Sequence, residues 1–246
     1  EQTKKFGVLV SQAPQFLPRL PWGATFEKDE FRAPDFTSLE VLCFANGGIP
    51  AGINIPNYDD IRQNEGFKNV SLGNVLSARR PDKERVSMLE DADQEIYKRH
   101  LSAPFEVQVG LHELLGHGSG KLLEEKADGT FNFDRAKVVI PWTEKPVATW
   151  YKPGETWTSK FKDLAGSFEE CRAEAVGLYL SIDPEVLKVF GHEGQEAADI
   201  TYVNWLSMAR AGVSALGFYE PKTKKWGQPH MHARYALLQV MLRDAG

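Results

Sequence analysis

Two histidines five residues apart on an apolar run constrain this chain more than any other feature. The stretch is Gly110-Leu111-His112-Glu113-Leu114-Leu115-Gly116-His117-Gly118, and it closes a mostly apolar segment, Phe105 to His117, that reads as a buried helix. At about 3.6 residues per turn, a five-residue separation puts the two side chains roughly 140° apart. They can meet only if the helix is locally widened. A π-bulge adds one residue to a turn, and Gly116 stands where the backbone must deform. Otherwise they are two core histidines with separate hydrogen-bond partners.

A second stretch, Phe168-Glu169-Glu170-Cys171-Arg172-Ala173-Glu174-Ala175-Val176-Gly177-Leu178-Tyr179-Leu180, sets three carboxylates and an arginine in a helix that is apolar nearly all round beyond Glu174. Buried carboxylates are costly unless paired or metal-bound. Two histidines and one glutamate with an open fourth position is a common catalytic zinc set, and Glu170 is the candidate third ligand to His112 and His117. Ligating imidazoles usually donate their other N–H to a carboxylate, a role open to Glu169 and Glu174. Arg172 points to another side and reads as a tie to a neighbouring element. The first stretch resembles the zincin signature, in which the Glu after the first His is a general base, but with one extra residue between the histidines.

The rest of the chain frames these motifs. The 246 residues carry 29 Lys+Arg against 34 Asp+Glu, a net charge of −5, without the basic excess that nucleic-acid binding needs. Cys43 and Cys171 are the only cysteines, so no disulfide framework holds the fold, and a reducing compartment is the simpler reading. No membrane span or signal peptide is visible. Gly116-His117-Gly118-Ser119-Gly120-Lys121 is not a phosphate loop: its spacing fails and Leu122 stands where Ser or Thr belongs.

Prolines 14, 18, 21, 34, 50 and 56 break residues 1–63 into short pieces, with Ser38–Phe44 and Gly52–Ile55 reading as extended. Asp82 to His100 carries a helical stripe, and 124–155 is a long connection. Thr158 or Ser159 can cap a helix running to about Ile182. Asp183-Pro184 starts a short helix closed by Gly191, Glu196 to Leu216 is a long one, and Pro229 to Arg243 is the last. The expected architecture is mainly α with a smaller β portion, an α+β fold.

His-Glu-Leu-Leu-Gly-His followed by Glu-Glu-Cys-Arg-Ala-Glu resembles the dipeptidyl peptidase III family of zinc exopeptidases. The likeness extends through 34–39, 48–60, 66–76 and 202–206. It implies a cytosolic, two-lobed enzyme that removes dipeptides from the N-terminus of short peptides. By motif match it implies one Zn²⁺ on His112, His117 and Glu170, with Glu113 as catalytic base. His230, in Gln228-Pro229-His230-Met231-His232-Ala233-Arg234, matches the family's oxyanion-stabilising histidine, with Arg234 one turn on beside the substrate. Asn54 and Asn57 match residues that hold the substrate's free N-terminus, on a segment with Ala51 and Gly52 that pairs with the peptide as an added strand.

Two departures follow from the same resemblance. The family's substrate site also draws on residues before Glu1 and after Gly246, so the chain reads as a piece of something longer. On that reading 1–63 is part of a second, mixed α/β lobe and 64–246 the helical zinc-binding lobe. The competing expectation is a folded zinc-binding piece that is inactive and serves as an interaction module. Some animal members carry a Glu-Thr-Gly-Glu loop for a Kelch-type adaptor. The corresponding Pro141-Trp142-Thr143-Glu144-Lys145-Pro146 lacks it, and that partner is not expected. Neither nucleic acid nor membrane is expected as a partner.

Overall fold

The structure is a computed structural model that describes residues 2–32, 35–43, 45, 52–56, 61, 65–77 and 85–245. The chain is mainly helical with a smaller β portion, the α+β architecture expected from its sequence. Five helices and one widened turn hold the main core. Helix α1 (Gln2–Phe16) buries Phe6, Leu9, Ala13 and Phe16. These lie against Leu111, Leu114 and Leu115 from α4 (Ala103–Leu111) and the turn after it, and against Val176 and Leu180 of α6 (Ala165–Leu180). Leu187 of α7 (Pro184–Val189) and Ile200 of α8 (Gly194–Ser214) complete the cluster.

Helix α1 departs from the turn-rich reading of residues 1–63. Pro14 lies in its last turn, where it removes one i→i−4 hydrogen bond close to the helix end. Residues 6, 9, 13 and 16 share the buried face, and burial of that face outweighs the proline.

Among the described residues, three strands form the larger sheet, in the order β1 (Asp35–Leu39), β3 (Lys68–Leu72), β2 (Gly52–Ile55). β1 runs parallel to β3, and β2 antiparallel to it with Gly52 opposite Ser71 and Asn54 opposite Asn69. β2 matches its expected bounds; β1 starts earlier than Ser38 and ends at Leu39. Strand β3 was not anticipated. Its inward residues, Asn69 and Ser71, are polar and fully buried, which inverts the usual apolar-in pattern. A short helix α2 (Gly73–Ser77) follows.

The helix expected over 82–100 shortens to α3 (Gln94–Arg99), while Gln94 holds the preceding loop through Val86 N, Val86 O and Leu89 O. The helix expected to run unbroken to Ile182 is two. Thr156 and Ser159 form a reciprocal cap on α5 (Trp157–Phe161), and Lys162 at φ 50° ends it before α6 begins. Residues 124–155 make isolated bridges rather than strands. A two-residue ladder, β4 (Tyr219–Glu220) with β5 (Lys225–Trp226), precedes α9 (Pro229–Ala245), which packs on α6 and α8. No described helix is long and apolar enough to cross a membrane.

Candidate metal centre

Helix α4 passes directly into a π-helical turn, His112–Gly116. The amide of His117 bonds His112 O at 3.0 Å, five residues back, where an α-helix would use Glu113 O. This extra residue rotates the second histidine onto the face of the first. The ring centroids lie 4.8 Å apart and nearly perpendicular. Gly116 is required: a Cβ there would meet Ala173 Cα and O at 2.8 Å, so only glycine lets the widened turn press against α6.

That close approach brings Glu170 to both rings. Its Oε2 stands 3.1 Å from His112 Nε2 and 3.7 Å from His117 Nε2. One donor atom from each of His112, His117 and Glu170 falls within 4.8 Å of the others, and all three residues are buried. Glu170 Oε2 is inaccessible and makes no hydrogen bond among the described residues. Two imidazole nitrogens and an unsatisfied carboxylate oxygen at one buried point are a donor set that suits a divalent metal. Burial opposes the charge on Glu170, but the facing rings of His112, His117 and His230 outweigh it and hold the carboxyl at about 2.

Each histidine is backed by a carboxylate on its other nitrogen. Glu169 Oε1 is 2.8 Å from His117 Nδ1, and Glu174 Oε2 is 3.4 Å from His112 Nδ1. Both carboxylates are themselves held. Arg172 grips Glu169 with two nitrogens, at 2.7 and 3.0 Å, and reaches Ser119 O and Oγ at 3.1 Å, which is its tie to a neighbouring segment. Burial again opposes ionisation, yet Arg172 and His117 keep Glu169 well below the usual carboxylate range. Arg234 and His112, with Gln108, do the same for Glu174.

Helix α9 supplies the next residues. His230 Nε2 lies 3.1 Å from Glu170 Oε2, and its ring stacks toward that of His112. Gln228 Nε2 donates to His230 Nδ1 at 2.9 Å, which leaves the ring proton on Nε2. Burial lowers the His230 pKa, so the ring is neutral near pH 7. Arg234 places Nε and Nη2 each 2.7 Å from Glu174 Oε1, so its guanidinium is engaged by the carboxylate behind His112. It also lines a cavity of about 380 Å³ with His112, His230, Phe105, Met208 and Gly52.

Glu113 follows the first histidine. Its Oε2 is buried without a hydrogen-bond partner among the described residues, and a Cβ on Gly52 would lie 3.3 Å from its Oε1. Strand β2 therefore runs past the Glu113 carboxylate. Asn54 is described as part of that strand, but its side chain, and all of Ala51 and Asn57, lie outside the described residues.

The sequence matches Peptidase family M49 over residues 1–246. The chain belongs to peptidase family M49. It is 57% identical over 247 residues to a protein of Rattus norvegicus named dipeptidyl peptidase 3, covering 100% of this chain and 33% of that protein. A Nematostella vectensis protein of the same name is 58% identical over 242 residues, covering 98% of this chain and 33% of that protein. This M49 chain thus spans about a third of the length of these relatives. Among solved structures, DPP III from Caldithrix abyssi superposes with a TM-score of 0.65 at 18% identity, over 99% of this chain and 40% of that one, a likeness of fold. M49 is a family of metallopeptidases, in keeping with the His112, His117, Glu170 group.

Sequence reasoning missed several residues of this M49 site. Gln108 donates to Glu174 Oε2 at 2.8 Å and is itself held by buried Asn204 at 3.0 Å. Its signal was its place one turn before His112 on the same helix. Gln228 was readable as a polar residue just ahead of a helix that opens with Pro229. His232 stacks on Trp226 away from the centre.

Proposed function

We propose that this M49 chain carries the zinc centre of an enzyme that releases N-terminal dipeptides from short peptides. The observation that carries the reading is the convergence of His112, His117 and Glu170 beside Glu113, whose Oε2 is buried with no hydrogen-bond partner among the described residues. His112 and His117 would hold one Zn²⁺ through Nε2 and Glu170 through a carboxylate oxygen, with Glu169 and Glu174 fixing the rings. When bound, zinc supplies Lewis acidity at this point, which acidifies a water to a pKa of about 7.

Glu113 accepts the proton of the attacking water at Oε2 and returns it to the amine nitrogen as the C–N bond breaks. His230, neutral and protonated on Nε2, donates to the oxygen that gains charge. Strand β2 is one of the two outer strands of the described sheet and passes Glu113, so a peptide added along its edge would bring its scissile carbonyl toward the base. Asn54 and Asn57 would hold the free amine, with Ala51 and Gly52 contributing backbone. Arg234, on the cavity wall, is a candidate contact for the substrate in addition to its hold on Glu174. A cytosolic location and the lobe boundary near residue 63 belong to the same reading.

Glu113→Gln tests it. Dipeptide release from a short synthetic peptide should fall about 10²–10⁴-fold while zinc content is unchanged. Retained activity would remove Glu113 as the base. The span of about a third of the relatives' length motivates one competing reading, a zinc-binding piece without activity. Stoichiometric zinc with no dipeptide release from the wild-type chain would favour it.

A further inference from the structure

The π turn that lets His112 and His117 converge leaves a backbone debt. In a regular α-helix the His117 amide would bond the Glu113 carbonyl; here it bonds His112 O at 3.0 Å instead. The carbonyl of the residue that carries the proposed base therefore loses its helical donor. A buried carbonyl must find another, or the widened turn is penalised against the regular one.

The donor comes from outside the helix. Asn69 Nδ2 donates to Glu113 O at 3.1 Å across 44 residues of sequence. Asn69 is fully buried on β3, the central strand of the described sheet, opposite Phe36 of β1 and Asn54 of β2. A polar side chain turned into the protein from the central strand of a sheet is costly unless it is satisfied. Its place is explained by the carbonyl it meets. The carbonyl at the end of the turn is met more locally, since Ser119 Oγ donates to Gly116 O at 3.0 Å within the same loop.

We propose that Asn69 is a positioning residue that selects the π register of the His112–Gly116 turn. It supplies the N–H that the Glu113 carbonyl gives up and fastens the sheet carrying β2 to the backbone of the base. The register is what makes the two imidazoles converge, so loss of the Asn69 amide should be felt as loss of metal affinity. The same contact fixes the distance between the β2 edge and the Glu113 carboxylate. This inference rests on the metal-centre reading above and deepens it.

The test uses the full-length protein and zinc alone as probe, with affinity read by chelator competition. Asn69→Asp keeps the shape and removes the N–H donor, and Asn69→Leu removes all polarity at similar volume. Both should weaken zinc about 10–100-fold and speed exchange of the His117 amide. Ser71→Ala, on the same face of the same strand, should leave both at wild-type values. If the Asn69 variants do not fold, exchange in the wild-type protein decides. The Asn69 side-chain amide should then be protected to the same degree as the His117 amide and lose protection with it when zinc is removed. Asn69 variants with wild-type zinc affinity and His117 protection, or an Asn69 amide that exchanges independently of the turn, would overturn the proposal. A wild-type protein that fails to bind zinc would instead overturn the metal-centre reading.

Discussion

At the scale of residues, the centre consists of a few side chains whose charges are arranged in opposed pairs. Each histidine faces inward with one nitrogen and backs onto a carboxylate with the other, and an arginine holds each carboxylate. Such backing fixes which nitrogen carries the proton and raises the basicity of the ligand. Glu169→Gln keeps the size of the side chain but removes the charge shared by His117 and Arg172. Zinc affinity should drop about 10–100-fold by chelator competition, with little change in secondary structure. The cluster of His112, His117 and Glu170 was legible because residue types and spacing are tied to the chemistry of a metal site. Gln108, Asn204 and Gln228 were passed over, since an amide side chain is as common on a surface as in a buried network and position alone is a weak signal until the fold brings these three to the site.

At the scale of elements, the five-residue spacing was the most informative sign in the chain, because it could be reconciled with one ion only through a widened turn. That turn is present, and Gly116 is what allows it to lie on Ala173. Gly116→Ala puts a methyl 2.8 Å from the Ala173 backbone, which cannot yield as a flexible side chain would. We expect a loss of about 1–3 kcal/mol in urea unfolding, accompanied by weaker zinc binding. Helices α7, α8 and α9 were readable from Asp183-Pro184, Gly191 and Pro229, where caps and breakers act locally. Helix α1 and strand β3 were hidden for opposite reasons. In α1 a proline near the end masked an apolar face satisfied only by the distant core. In β3 the inward residues are polar, and their partners are far away in sequence.

At the scale of the whole molecule, the loop that leaves His117 is tied to the segment that follows α1. Glu27 accepts from Trp22 Nε1 at 2.5 Å and from Gly120 N at 2.8 Å, and Lys121 N bonds Phe26 O at 2.8 Å. Burial raises the Glu27 pKa above the ordinary 4.5, against the smaller pull of Gly120 and Trp22. A carboxyl raised in the folded state stabilises the fold when protonated. Its contribution is complete below the unfolded value and is lost as pH rises through the folded one. Glu27→Gln cannot ionise, so it should flatten the dependence of urea midpoints on pH in the window just above 4.5. An unchanged profile would mean that Glu27 titrates as in the unfolded chain.

His112, His117 and Glu170 are proposed to hold one zinc ion. X-ray absorption on the zinc-loaded chain tests it most directly. One zinc per chain is expected, with two imidazole nitrogens at about 2.0–2.1 Å and a carboxylate oxygen at about 2.0–2.2 Å. Replacing His117 with Ala should remove one imidazole from that shell. A sub-stoichiometric ion, or a shell unchanged by that substitution, would contradict it.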